Sequence, residues 1–167
     1  MREERSNMSR ALFVFSEQTP AAHSTVASSN PVAGAGSYFP AGVAGPLSDY
    51  EAVDVILDAP ANTTGDTLDV YVQTSPDEGQ NWYDAIHFPT IASGAAASSY
   101  AAPLSTATAT SAPTQVGRNL SPALAAGAVV NGAFSDRMRL VMAAGANASS
   151  SITIAVRILA QRKERNR

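Results

Sequence analysis

The sequence predicts an all-β fold: an antiparallel β-sandwich of about eight strands with long extended arms, for which a jelly roll is the expected arrangement. Three observations lead there. Short runs alternate apolar and polar residues, clusters of Gly, Pro, Asn, Asp and Ser separate those runs, and no stretch carries a convincing helical pattern. At 167 residues the chain suits one domain with a full core. We assign residues 11–161 to that domain, with 1–10 as an N-terminal arm and 162–167 as a basic tail.

The clearest element is the stretch 67–88, TLDVYVQTSPDEGQNWYDAIHF. Leu68, Val70 and Val72 alternate with Asp69, Tyr71 and Gln73, the period of a strand buried on one face. Ser75-Pro76-Asp77-Glu78-Gly79 supplies a turn, and Trp82 to Phe88 a returning strand. A β-hairpin is predicted.

Taken in order, Ala11 to Phe15 forms a short strand. Residues 21–47 carry Pro31, Pro40 and Pro46 without useful periodicity and read as an extended arm, which either wraps its own sandwich or reaches a neighbour. Tyr50 to Asp58 is the next strand, with Val53, Val55 and Leu57 on one face. Residues 91–122 form a second long loop, rich in Ala, Ser and Thr. Within it Thr106 to Thr110 alternates as an edge strand, and Ser121 to Ala128 fits one helical turn with Pro122 in first position. Two strands close the chain. Met138, Leu140 and Met142 share a face of the first; Ile152, Ile154, Val156 and Ile158 share a face of the second. With Gly145 to Ser149 between them, they read as a second hairpin.

Composition narrows the function classes. Charged residues make up only 15% of the chain, against roughly 25% in an average soluble domain. Low charge with much Ala, Ser and Thr points to surface covered by neighbours. With no cysteine, disulfides and Cys-based metal sites are excluded. No apolar run approaches the ~20 residues of a membrane helix, and the charged start does not read as a signal peptide. Charge is polarised: 11–115 contains no Lys or Arg, while Arg162, Lys163, Arg165 and Arg167 crowd the tail. That tail is either a solvated end or an arm that docks on an acidic surface; a nucleic-acid role is weakly supported.

Chemistry finds little purchase. His23 and His87 lack companions, and no HExxH, phosphate loop or GxSxG occurs. Asp54, Asp58 and Asp69 form a candidate oxygen-ligand trio for a hard cation, weighed against a solvated acidic face. We expect no catalytic, cofactor or metal site. Tyr71, Trp82 and Tyr83 are candidate stacking platforms for sugar rings, the basis of a carbohydrate-binding alternative that would take a host glycan.

Ser75-Pro76-Asp77-Glu78-Gly79-Gln80-Asn81-Trp82 resembles the Asp-box, S-x-D-x-G-x-[ST]-[WF], departing at Asn81. The resemblance implies a structural turn built on Ser75, Asp77, Gly79 and Trp82: the Asp accepts backbone bonds, the Gly takes positive φ and the aromatic packs beneath. More widely, LDVYVQTSPDEGQNWYDAIHF resembles a segment of small β-sandwich virion proteins of tailed bacteriophages, of the form LDVxVQTSxDGGxxWxDxxHF, followed by a small-residue region and two closing strands. It departs at Glu78, where a second glycine is common. This resemblance implies a non-enzymatic structural protein in the virion, made in the host cytoplasm. The expected role is capsid decoration or minor head protein, with a neck, tail or fibre-base position as the alternative. Its partners would be further copies of itself, as a homo-oligomer such as a trimer, and a major capsid protein.

Overall fold

The computed structural model describes residues 10–18, 47, 49–63, 65, 67–105, 117–118, 120, 123–130, 132, 134–144 and 153–162. Its strands are β1 (Arg10–Gln18), β2 (Tyr50–Ala59), β3 (Leu68–Ser75), β4 (Tyr83–His87), β5 (Ser98–Ser105), β6 (Ala128–Val129), β7 (Arg137–Ala144) and β8 (Thr153–Arg162). Among the described residues there is no helix.

The strands form two antiparallel sheets. Sheet one has the order β1-β8-β2-β5 and sheet two the order β6-β4-β3-β7. Alternation decides what each presents inward. Val53, Val55 and Leu57 of β2 join Ile154, Val156 and Ile158 of β8 from sheet one. They meet Leu68, Val70 and Val72 of β3 and Met138, Leu140 and Met142 of β7 from sheet two, in one buried cluster. At about 25 cal/mol per Å², burying this aliphatic layer is the main favourable term for the fold. Two sheets sharing one apolar layer is the arrangement of a β-sandwich.

Four expectations need correction. The closing strands are not a hairpin: β7 pairs with β3, whereas β8 pairs with β1 and β2. The chain crosses between sheets there, and alternation alone could not tell a hairpin from a crossing, since both bury the same side chains. A strand, β5, occupies part of the presumed loop 91–122. Its Ala102 and Leu104 face the core while Pro103 is exposed, and β5 is outermost in its sheet, where proline is tolerated. The helical turn predicted over 121–128 is a β-turn in the described residues 123–128: the Ala128 amide donates to the Ala125 carbonyl at 3.1 Å, but Gly127 takes a φ of 77°, outside the helical region, and the chain passes directly into the pairing of Ala128 with His87. Finally, Leu47 is no arm residue. It is fully buried in the core, and its amide donates to the Asp136 carbonyl at 2.8 Å. Ile152, Thr106 to Thr110 and most of arm 21–47 lie outside the described residues.

Asn62, which the sequence reads as an ordinary turn residue, is fully buried. Its side-chain amide donates to the carbonyls of Ile91 and Ala92 at 3.2 and 3.1 Å, and its backbone exchanges bonds with Ala95 and Gly94. It ties the β2–β3 connection to the loop leading into β5.

Truncating a well-packed core leucine costs about 2–5 kcal/mol, whereas a surface arm residue costs under ~0.5. Leu47→Ala should therefore lower unfolding stability by the larger amount in a urea titration. A change inside the smaller range would place Leu47 outside the core.

Candidate functional site

Polar side chains concentrate on the outer face of sheet two, where β3 carries Asp69, Tyr71, Gln73 and Ser75. This face is covered, not wet. Described residues of the stretch before β6 line its edge and cover it: the Asp84 amide donates to the Gly117 carbonyl at 2.9 Å and the Gly127 amide to the His87 carbonyl at 2.8 Å along the edge of β4, while Leu120 packs with Tyr71 and Val141 on the face.

The hairpin turn is held by its own side chains. The Gly79 amide donates to Ser75 Oγ at 2.8 Å and the Asn81 amide to Asp77 Oδ1 at 2.8 Å; Ser75 Oγ also bonds Asp77 Oδ1 at 2.7 Å. The Asn81 side chain donates to Asp77 and accepts from Arg118, so it does more here than replace the usual hydroxyl. Glu78 and Gly79 both take positive φ, 59° and 98°. A Cβ on Gly79 would sit 3.3 Å from the Trp82 ring, so the indole lies against the turn. The bonds from Asn81, side chain first, pull the Asp77 carboxyl down to about 2. Ser75, Asp77, Gly79 and Trp82 thus form one unit whose polar groups bond to each other.

Beyond the turn runs a buried polar chain that the sequence did not disclose. Between Val72 and Gln73 the pairing with β4 shifts register, so Ala85 is an extra residue. Such a bulge re-aims the next side chain. Ala85 and Ile86 both reach the core, and Asp84 turns to the outer face beside Gln73. Gln73 Nε2 donates to Asp84 Oδ1 at 2.6 Å. Arg139 Nε donates to Gln73 Oε1 at 2.7 Å, with its guanidinium 4.5 Å from the Trp82 ring centre. Gln73 and Asp84 are both 0% exposed. Burial pushes the Asp84 carboxyl up, opposed by the Gln73 bond and by the backbone amides of Leu124 and Leu120. Its Oδ2 has no hydrogen-bond partner among the described residues.

At the other end of β3, His87 Nδ1 bonds the Leu124 carbonyl at 2.7 Å and Nε2 faces Asp69 Oδ1 at 3.2 Å. Thr90 also donates to Asp69. The bond from His87 leads in holding the Asp69 carboxyl below its ordinary value. Tyr71 stacks on the His87 ring with centroids 3.9 Å apart. Its hydroxyl is pushed up to about 12, by burial first and then by the charges of Asp69 and Asp84.

These positions revise the sequence-based sites. Tyr71, 7% exposed, has one ring face on His87 and Leu120 packed nearby, so it offers no sugar platform. Trp82 and Tyr83 are half-buried. The acidic trio is split: Asp58, on sheet one, pairs with Arg157 and accepts from Ser99 at 2.6 Å, while Asp69 belongs to sheet two. Among the described residues no three potential ligands converge on a metal position. The hollow beside Tyr100, Phe88 and Val129 holds only about 180 Å³, below the ~300 Å³ at which ligand pockets begin. Arg162 ends β8; Lys163, Arg165, Arg167 and His23 lie outside the described residues.

The two shifted aspartates give opposite pH signs. Asp69 has its carboxyl lowered by folding, so it adds stability above about pH 4 that is lost as acid protonates it. Asp69→Asn should cost about 1 kcal/mol at neutral pH, with the deficit closing as acid protonates the lowered carboxyl. Asp84 has its carboxyl raised, so its charge opposes folding at neutral pH. Asp84→Asn keeps an acceptor for Gln73 and should match or exceed the parent's stability at pH 7, its advantage shrinking in acid. Thermal melts across pH 3–8 check both; parallel profiles would contradict the assignment.

The chain matches no protein-family model, no curated protein and no solved structure.

Proposed function

We propose that this chain is a non-enzymatic structural protein of a tailed-phage virion, a capsid decoration or minor head protein with a jelly-roll sandwich. The observation that carries the reading is the use made of the resemblance-bearing segment. Asp69, Tyr71, Gln73, Ser75, Asp77, Trp82, Asp84 and His87 bond or stack with one another and with the covering segment. Residues spent on internal order are what a rigid particle subunit needs, and they leave no nucleophile–base pair aimed at a cleft.

The surface supports the same reading. The outer face of sheet one presents Asp54, Ala101, Pro103 and Arg157 exposed, with Ile56 and Leu159 half-buried among them. Small and proline side chains lose little rotamer entropy when a partner covers them. Attachment would sum many modest contacts over a repeating lattice, with the basic tail pairing against acidic surface. Strand order favours the jelly roll, since β2→β3, β4→β5 and β7→β8 all pass from one sheet to the other.

Light scattering behind size exclusion, with and without candidate capsids, tests the proposal. A trimer or larger ring that co-sediments with capsids is the expected result. A monomer without capsid affinity would overturn it.

A further inference from the structure

The outer face of sheet one carries a small pattern that strand register fixes. Val53, Val55 and Leu57 of β2 and Val156, Ile158 and Ala160 of β8 are buried in the core, so Asp54, Ile56, Arg157 and Leu159 point outward. The two strands are neighbours, with Asp54 opposite Leu159 and Ile56 opposite Arg157. These four side chains therefore stand at the corners of a cell about 4.8 Å wide and about 6.8 Å long. One diagonal holds the two charges, Asp54 and Arg157. The other holds the two aliphatic groups, Leu159 and Ile56.

Both charges are exposed and both aliphatic groups half-buried. Asp54 and Asp58 flank Ile56 on β2, at matching diagonal spacing from Arg157, and Arg157 pairs with Asp58. Among the described residues Asp54 makes no hydrogen bond or ion pair. An unpaired carboxylate and an exposed guanidinium on opposite corners, with apolar groups between them, form a surface complementary to itself.

We propose that this cell is the centre of an isologous contact with a second copy of the chain. A two-fold axis laid in the face along the Leu159–Ile56 diagonal sets each aliphatic group on its own counterpart. The same operation brings Asp54 over Arg157 of the second copy and Arg157 over its Asp54, so two ion pairs form at once. Other axes through the cell fail. One parallel or perpendicular to the strands sets each charge on an aliphatic group, and one along the charged diagonal sets like charges together. The favoured axis crosses the strands of the two copies at about 70°, near the orthogonal class of sheet packing. Arg157 keeps Asp58 in the contact, since a guanidinium has donors enough for two carboxylates. Ala101 and Pro103, exposed one strand over on β5, widen the contact with small groups.

Sedimentation equilibrium of the full chain, run without capsids, tests this contact separately from the virion reading. The parent should self-associate. Asp54→Arg and Arg157→Asp, each alone, set like charges together twice and should raise the dissociation constant by about tenfold or more. An equal mixture of the two variants restores both opposite-charge contacts and should regain the parent's affinity as a heterodimer. A monomeric parent, single variants that associate as tightly as the parent, or a mixture no tighter than its components would each overturn the proposal. The chain has no cysteine, so Leu159→Cys gives a second readout with the charges unchanged. A short bis-maleimide should join two copies through that single thiol, whereas the control Ala61→Cys, exposed beyond the end of β2, should stay unlinked. Equal yields from the two would overturn the placement of the axis.

Discussion

β3 is buried on both faces, and most of this structure answers that constraint. Inward, Leu68, Val70 and Val72 need an apolar partner layer, which β2 and β8 provide across the core. Outward, Tyr71, Gln73 and Ser75 are covered too, so their polar atoms cannot rely on water. An unsatisfied buried polar group costs about 1–3 kcal/mol, and Gln73 and Ser75 are bonded accordingly, while the Tyr71 ring is stacked. Gln73 spans Asp84 and Arg139, Ser75 joins the turn, and Tyr71 lies on His87. The bulge in β4, the covering contacts of Leu120 and Leu124 and the tight turn all serve that one strand.

The outer layer is not fully satisfied. Asp84 keeps one oxygen without a hydrogen-bond partner among the described residues, and burial disfavours its charge. A carboxylate in this place is a cost that the Gln73 bond offsets only in part. What the polar chain contributes instead is geometry. Gln73 can satisfy both Asp84 and Arg139 only when β4 and β7 hold their present registers on β3, so a one-residue slip of either would strand buried polar atoms.

Alternation made the strand faces legible in the sequence, since Val53/Val55/Leu57 and Ile154/Val156/Ile158 could be hidden only on one side. The turn was legible for a similar reason: Ser75, Asp77 and Gly79 are residue types whose local bonding dictates geometry. Pairing beyond the 67–88 hairpin was not legible. β7 and β8 are adjacent in the chain yet lie in different sheets, and nothing in their patterns distinguishes the two outcomes. The polar chain was hidden for a subtler reason. Strict alternation from His87 sends Asp84 inward, and only the extra residue Ala85 brings it beside Gln73. Leu47 was obscured by the prolines and glycines before it, which made a core residue look like part of an arm.

The two sheets consequently differ in what they can offer a partner. Sheet two is closed by the segment over Tyr71 and Val141, and uncovering it would expose Gln73 and Asp84 without their surroundings. Sheet one keeps an outer face whose charges are already partly matched, with Asp58 paired to Arg157. A surface ion pair of this kind contributes about 0–1 kcal/mol to stability, but it lowers the net charge a docking surface must desolvate. Between Asp54 and Arg157 the face is filled by Ala101, Pro103, Ile56 and Leu159, groups that lose little water and little entropy when covered. A partner that meets the folded domain broadly will find less to disrupt on sheet one than on any part of sheet two.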